Sequence, residues 1–187
     1  MVAPGYEARA LEHLGTKKNL RLIDTSTLPG DHYGLQLKSI GGGLLAQTPD
    51  TLVVEAKGWR CVTERQPTQP ETEALVFAWR VVKHVKSNAI VFARASVAVG
   101  VGAGQMSRVD AVKLAVIKAR ELKHSLENTV VASDAFFPFR DGVEEAARAG
   151  ATAIVQPGGS LRDAEVIAAA NKLGVAMMFT GDRHFLH

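Results

Sequence analysis

Thr129-Val130-Val131-Ala132-Ser133-Asp134-Ala135-Phe136-Phe137-Pro138-Phe139-Arg140-Asp141 is the stretch whose reading decides the fold. Its first four residues form an apolar run rich in β-branched side chains, as a buried strand requires, and residues 141–149 carry the spacing of a short amphipathic helix. Residues 133–141 therefore sit at a strand's C-terminal end, the edge where open α/β sheets bind ligands. Pro138 fixes φ and forbids continuation of the strand, so Phe136, Phe137 and Phe139 cannot all point inward from one tight turn. At least one ring is left to stack on something; the plain alternative is that all three pack the loop onto the core.

Upstream, Ser87-Asn88-Ala89-Ile90-Val91-Phe92-Ala93 opens a strand with two polar residues, and a second strand follows over 96–101. It runs into Gly102-Ala103-Gly104-Gln105-Met106-Ser107-Arg108-Val109-Asp110 and then a helical pattern. Small residues allow close backbone approach to a ligand, and a helix start turns its N–H groups toward anything anionic. The glycines have neither the spacing of a dinucleotide fingerprint nor the Lys-Ser/Thr ending of a P-loop. Ser107 with Asp110 also makes a variant capping box, so Ser107 has a structural reading beside a functional one.

The rest of the chain predicts a helix over 6–14, strands over 20–24 and 34–39, and extended chain at 44–47 and 52–54. A loop at 67–70 precedes a helix over 71–85. A helix over 109–122 has Ala111, Leu114, Ala115 and 117–119 as its apolar stripe. After it come the strand 129–132, the helix at Asp141, a strand over 151–155, a helix over 161–173 and a strand over 175–179. This alternation argues for an α/β fold with parallel strands covered by helices on both faces.

With 187 residues, 47% hydrophobic and 22% charged, the chain suits a single domain with a real core. No run approaches the roughly 18 apolar residues of a membrane span, and the start lacks a signal-peptide pattern, so the chain reads as cytosolic. One cysteine, Cys61, leaves no intramolecular disulfide and no multi-cysteine zinc site; beside Trp59, Arg60 and Val62 it reads as a half-buried bystander. The net charge of +3 is scattered, and only Lys17-Lys18 and 118–123 approach a basic patch, which argues against a nucleic-acid binder.

Lys86-Ser87-Asn88-Ala89, the run 100–108, the run 133–141, Gln156-Pro157-Gly158-Gly159-Ser160 and Arg183-His184-Phe185-Leu186-His187 resemble the formyltransferase region of the bifunctional purine biosynthesis proteins (AICAR formyltransferase / IMP cyclohydrolase). The likeness starts at Ala3-Pro4-Gly5-Tyr6-Glu7 and keeps one order to the last residue. It implies a cytidine deaminase-like three-layer sandwich, with a mixed sheet and helices on both faces. It also implies transfer of a formyl group from 10-formyltetrahydrofolate to the amine of aminoimidazole carboxamide ribonucleotide (AICAR). The His-x-Glu and Pro-Cys-x-x-Cys zinc signature of deaminases is absent, which excludes zinc-dependent deamination.

The resemblance covers only the second of the family's two transferase halves, so residues 1–187 are expected to be its C-terminal subdomain, without the cyclohydrolase domain and the first half. The family's catalytic Lys-His pair belongs to that first half. Lys83-His84 does not stand at its position and reads as a solvated helix end. In the family the segment at Ala3 follows an Asp that contacts the nucleotide, whereas only Met1-Val2 precede it here, so the sequence is expected to be a cut piece or one part of a split protein. Leu186 and Asp182 depart from the family's tail, which softens the charge around the nucleotide.

Carried over residue by residue, Asn88 is implied as the catalytic amide beside the reacting amine and formyl group. Lys18, Arg183 and Phe185 are implied as AICAR contacts, by ammonium to phosphate, by guanidinium and by ring stacking. Ser107, Arg108, Val109, Phe136, Pro138, Phe139, Asp141, Gly159 and Ser160 are implied around the folate, with the Asp141 carboxylate accepting N–H bonds from the pterin's amidine edge. A monovalent cation, usually potassium, is implied at main-chain carbonyls of 81–87 with Ser87 and Asp134.

Three function classes follow. The first is a formyltransferase half whose active site another chain or a homodimer partner completes. The second is a module that binds folate or purine nucleotide without turnover, and the third is a structural fragment. Without its general base the chain alone is expected to be nearly inactive.

Overall fold

A computed structural model describes residues 1–27, 34–51 and 56–186, so the expected extended segment at 52–54 and the final His187 lie outside the described residues. The chain divides into two compact units, Met1–Thr51 and Leu52–His187.

In the first unit, β1 (Val2–Ala3) pairs in parallel with β2 (Ile23–Asp24), and α1 (Ala8–Gly15) lies between them in sequence. The Tyr6 hydroxyl donates to the carbonyls of Met1 and Ile23, at 3.0 and 3.3 Å. The strand expected over 20–24 shrinks to two residues. β3 (Gln36–Ile40) and β4 (Gly43–Gln47) form an antiparallel hairpin, with Gly42 at φ +81° in its turn. All ten hairpin residues are exposed, including Leu37, Ile40, Leu44 and Leu45 at 51–64%.

The second unit is a six-stranded mixed sheet. Its elements are β5 (Arg60–Cys61), α2 (Gln69–Val82), β6 (Ile90–Arg94), β7 (Val97–Gly102), α3 (Arg108–Glu121), β8 (Thr129–Ser133), α4 (Asp141–Ala149), β9 (Ala151–Gln156), α5 (Asp163–Lys172) and β10 (Ala176–Phe179). The strand order is β5-β10-β9-β8-β6-β7. β8, β9 and β10 run parallel, whereas β6 is antiparallel to both its neighbours and β5 is antiparallel to β10. The expected strand–helix alternation thus holds from β8 onward, and the sheet as a whole is mixed.

Strict alternation along each strand feeds two cores. Ile90, Phe92, Val131, Ile154, Met177 and Phe179 face α3, α4 and α5; Val91, Ala93, Val130, Ala132, Ala153, Val155, Ala176 and Met178 face α2. Burial on both faces is why these strands read as continuous apolar runs.

The residues α3 buries are Ala111, Val112, Ala115, Val116 and Ala119, one face at helical spacing. The expected stripe was misassigned at Ile117, which is 51% exposed. Ala111, Ala115 and Ala119 let the helix approach β7 closely: a Cβ on Gly102 would lie 1.9 Å from the Ala111 carbonyl oxygen, and one on Gly100 would lie 2.8 Å from that of Ala115.

The loop expected at 67–70 is partly helix, because α2 starts at Gln69. Pro70 falls in the first turn, where no intrahelical N–H is needed. Thr68 closes a capping box with Glu71, whose carboxylate accepts from the Thr68 N–H at 2.7 Å. Glu71 also accepts from Arg65 Nη2 and Thr152 Oγ1, both at 2.6 Å. Partial burial pushes its pKa up, but the bonds from Arg65, Thr152 and Thr68 outweigh this and hold it at about 2. The helix ends at Val82 rather than at 85, with Lys83 as its C-cap. Lys118 at the end of α3 is paired with Glu121 at 2.8 Å.

Two outcomes test this packing. Gly102→Ala is expected to destabilise the protein by at least about 1–3 kcal/mol, because α3 has no room to retreat without opening the core; thermal unfolding measures it. Glu71 has a depressed pKa, so its stabilisation is complete above the ordinary value of 4.5 and is lost as pH falls from there through about 2. Glu71→Gln is expected to flatten stability against pH in that window, read by denaturant unfolding.

Candidate functional site

The C-terminal ends of β8, β9 and β10 mark one edge of the sheet. Register places the start of β6 and the end of β7 there too, since Ile90 pairs with Ser133 on one side and with Gly102 on the other. The first turn of α4 follows β8, that of α5 follows β9 and that of α3 follows β7. Three helix starts and the residues before Ile90 thus meet at a single edge.

Asp134, 1% exposed, is its centre. Its carboxylate accepts from Arg108 Nη2 at 3.3 Å and from the Ser87 hydroxyl, which makes a close contact with the other oxygen. Arg108 Nε donates to the Ala135 carbonyl at 3.2 Å. Burial lowers the Arg108 pKa from its ordinary value, and the Asp134 charge and hydrogen bond oppose that shift. The Asp134 carbonyl accepts from the His184 N–H at 2.9 Å, and the Ser87 N–H donates to the Leu186 carbonyl at 2.9 Å. The buried ion pair therefore ties together residues 86–88, α3, the β8–α4 turn and the C-terminal tail.

Asn88 is half-buried and follows a cis Ser87–Asn88 peptide bond. Its Nδ2 donates to the Gln105 carbonyl at 2.8 Å, while the two residues also exchange main-chain bonds at 3.2 and 3.4 Å. Gly104 N–H to the Lys86 carbonyl, at 2.7 Å, completes this small ladder. One Nδ2 hydrogen is thereby committed, and Asn88 Oδ1 has no hydrogen bond among the described residues.

The three phenylalanines separate as steric reasoning requires. Phe137 is fully buried, Phe136 is half-buried and Phe139 is 47% exposed, with the Arg162 guanidinium 4.7 Å over its ring. Buried Gln156 fixes the turn from within β9: its Oε1 accepts from the Phe137 N–H at 2.8 Å and its Nε2 lies 3.2 Å from the Met177 sulfur. Pro138 and Phe136 flank the buried ring. Asp141 opens α4, exposed, with Oδ1 accepting from the Gly142 N–H at 2.7 Å.

The other expected residues divide. Ser107 is the N-cap of α3; its hydroxyl accepts from the Asp110 N–H at 3.2 Å and donates to Asp110 Oδ2 at 2.6 Å, so the structural reading accounts for it. Val109 is half-buried in the same turn. Gly159 and Ser160 precede α5, and their N–H groups donate to the Asp163 carboxylate at 2.7 and 3.2 Å. Arg183 and Phe185 lie in the tail, the guanidinium 4.9 Å from the ring centroid. Lys18 is an exposed turn residue of the first unit. His84 lies past the end of α2 and is exposed.

Gln105, Gln156 and Arg162 were not singled out by sequence reasoning. Gln105 acts through its main-chain carbonyl, which no side-chain pattern reveals. Gln156 was legible only as a polar residue ending an apolar strand, and Arg162 as a cation five residues beyond Pro157.

Among the described residues no cluster of three or more His, Cys, Asp or Glu side chains could hold a metal ion, and no helix is long and apolar enough to cross a membrane.

A family model described as AICARFT/IMPCHase bienzyme matches residues 1–118. The bifunctional purine biosynthesis protein PurH of Chloroflexus aurantiacus is 56% identical over 187 residues, which is all of this chain and 36% of that protein. PurH of Magnetococcus marinus is 53% identical over 196 residues, covering 37% of it, and PurH of Sorangium cellulosum is 56% identical over 189 residues, covering 36% of it. The chain thus spans about a third of the length of these curated relatives.

Removing one partner of the buried ion pair is expected to cost about 3–5 kcal/mol, so Asp134→Ala should lower stability by that order in chemical denaturation. The double variant with Arg108→Met is expected to recover part of the loss, since no charge then stays buried alone.

Proposed function

The chain belongs to the AICARFT/IMPCHase bienzyme family, and from that membership we propose that it is the second transferase half of a cytoplasmic formyltransferase acting in IMP biosynthesis. In this reading its sheet is the cytidine deaminase-like layer of that enzyme. The site takes 10-formyltetrahydrofolate and AICAR. The observation that carries the reading is the fixed amide of Asn88, with Oδ1 left as an acceptor at an edge that also holds the Phe136–Asp141 turn and the Arg183–Phe185 tail.

The chemistry needs few groups. The AICAR amine attacks the formyl carbon, a tetrahedral intermediate forms, and its collapse breaks the bond to N10 of the folate. One proton leaves the amine and one reaches N10, so the reaction is proton-neutral overall. Asn88 Oδ1 accepts an amine N–H and orients the nitrogen lone pair, and the second Nδ2 hydrogen is available to the developing oxyanion. Phe136, Pro138 and Phe139 form an apolar wall for the folate, with Val109, Gly159 and Ser160 at its borders. Asp141 Oδ2 accepts from the pterin edge, and Arg183 and Phe185 hold the nucleotide. Arg108 sits beneath as the counter-charge of Asp134.

The general base of the family is the Lys-His pair of the first half, which in this reading comes from a partner chain or another part of a longer protein. The exposed Leu37, Ile40, Leu44 and Leu45 of the β3–β4 hairpin support such a partner, since a two-stranded ribbon with apolar side chains on both faces gains stability only when covered. A homodimer is the simplest form of it. Asp134, Ser87 and neighbouring carbonyls offer hard oxygen ligands. With Arg108 already facing Asp134, they suit a monovalent cation such as potassium better than a divalent one.

Titration calorimetry of the chain with a 10-formyltetrahydrofolate analogue, with and without AICAR, tests the reading. Saturable binding abolished by Asp141→Ala is the expected result, with formyl transfer by the chain alone about 10²–10⁴-fold below a site that includes the base. No binding of the analogue, or rapid turnover by the pure chain, would contradict it. Sedimentation of Leu37→Ser/Leu44→Ser against the wild type is expected to show weakened self-association.

A further inference from the structure

We infer that His184 is the positioning residue of the nucleotide-binding tail, an inference that rests on the function proposed above. Residues 183–186 run along the sheet edge as a short extension. Lys86 and Leu186 form a parallel bridge, the Ser87 N–H donates to the Leu186 carbonyl at 2.9 Å, and the His184 N–H donates to the Asp134 carbonyl at 2.9 Å. In extended chain successive side chains point to opposite sides. His184 is therefore turned inward, 1% exposed, while Arg183 is exposed and Phe185 half-exposed on the other side.

The inward ring has a built seat. Its centroid lies 4.6 Å from that of Trp79, tilted by 46°. Trp79 is itself 2% exposed on α2, and Trp59 meets it edge-on at 6.2 Å and 81°. The two main-chain bonds add only modestly against the conformational entropy of ordering residues 183–186. Burial of the His184 ring on Trp79 adds to them, so loss of that ring is expected to leave the tail undocked in a large fraction of molecules.

Docking has two consequences at the site. It presents Arg183 and Phe185 as one unit, the guanidinium lying 4.9 Å from the ring centroid. It also braces Ser87 from the side opposite Gln105, so that Asn88 is held between the tail and the 103–105 ladder. His184 touches neither substrate in this arrangement; it sets the fraction of molecules whose tail is in place. An arm docked a tenth of the time binds its ligand about tenfold more weakly.

The test compares wild type, His184→Ala and His184→Phe by calorimetry with AICAR and, separately, with a 10-formyltetrahydrofolate analogue, while tryptophan emission follows the Trp79 seat. His184→Ala is expected to weaken AICAR binding by about tenfold, to shift emission to the red and to leave the folate analogue's affinity within about twofold. His184→Phe, which keeps a ring on Trp79, is expected to restore most of the AICAR affinity. Unchanged AICAR affinity in His184→Ala overturns the positioning role alone, and so does a parallel loss for both ligands, which marks a general structural defect. A wild-type chain that binds neither ligand overturns this inference together with the function it rests on.

Discussion

A buried carboxylate is costly without a countercharge, and among the described residues Arg108 and the Ser87 hydroxyl answer Asp134. That requirement fixes where α3 begins, because its first residue must reach across to the end of β8. It likewise fixes the segment before β6 and, through the Asp134 carbonyl, the tail. Elements distant in sequence thus share one buried charge at a single edge. Substitution there is felt in four segments at once, and the edge behaves as one cooperative piece.

The rest of the second unit exists to bring α3 close enough for that contact. The missing Cβ atoms of Gly100 and Gly102 on β7 and the short side chains of the α3 alanines let helix and strand approach closely. The helix gains few large apolar contacts from this seam; what it gains is reach. Large side chains fill the rest of the same core, with Phe92, Phe137 and Ile154 fully buried. Small residues at one margin and aromatics in the centre keep the interior dense while the helix start stays near the sheet.

Much of this was legible in the chain. The apolar runs of β6, β8, β9 and β10 announced buried strands, and the Pro138 turn announced that its rings must part, as Phe137 and Phe139 do. The capping pair Ser107 and Asp110 was visible because N-cap chemistry is local. What stayed hidden was non-local or carried by the main chain. β1 and β5 have two residues each and leave no periodic trace. Pro70 masked the start of α2, because the same residue ends loops and begins helices. Ile117 is exposed although it reads as part of the stripe, because the four-residue apolar run 114–117 covers most of a turn and does not say which of its residues faces the sheet. The bonds from Asn88 to the Gln105 carbonyl and from His184 to the Asp134 carbonyl involve backbone atoms that every residue possesses, and only the fold brings them together.

Gln156 adds a consequence of a different kind. It lies fully buried at the end of β9, yet its amide oxygen holds the main chain of the aromatic turn through the Phe137 N–H, while its nitrogen faces the Met177 sulfur of β10. The shape of the outer wall is therefore specified from inside the sheet, by a side chain no ligand meets. Oxidation of Met177 would place a strong acceptor where a weak one now stands. The amide would then be drawn toward β10, and chemical damage in the core would register at the surface as a change in the stance of Phe139.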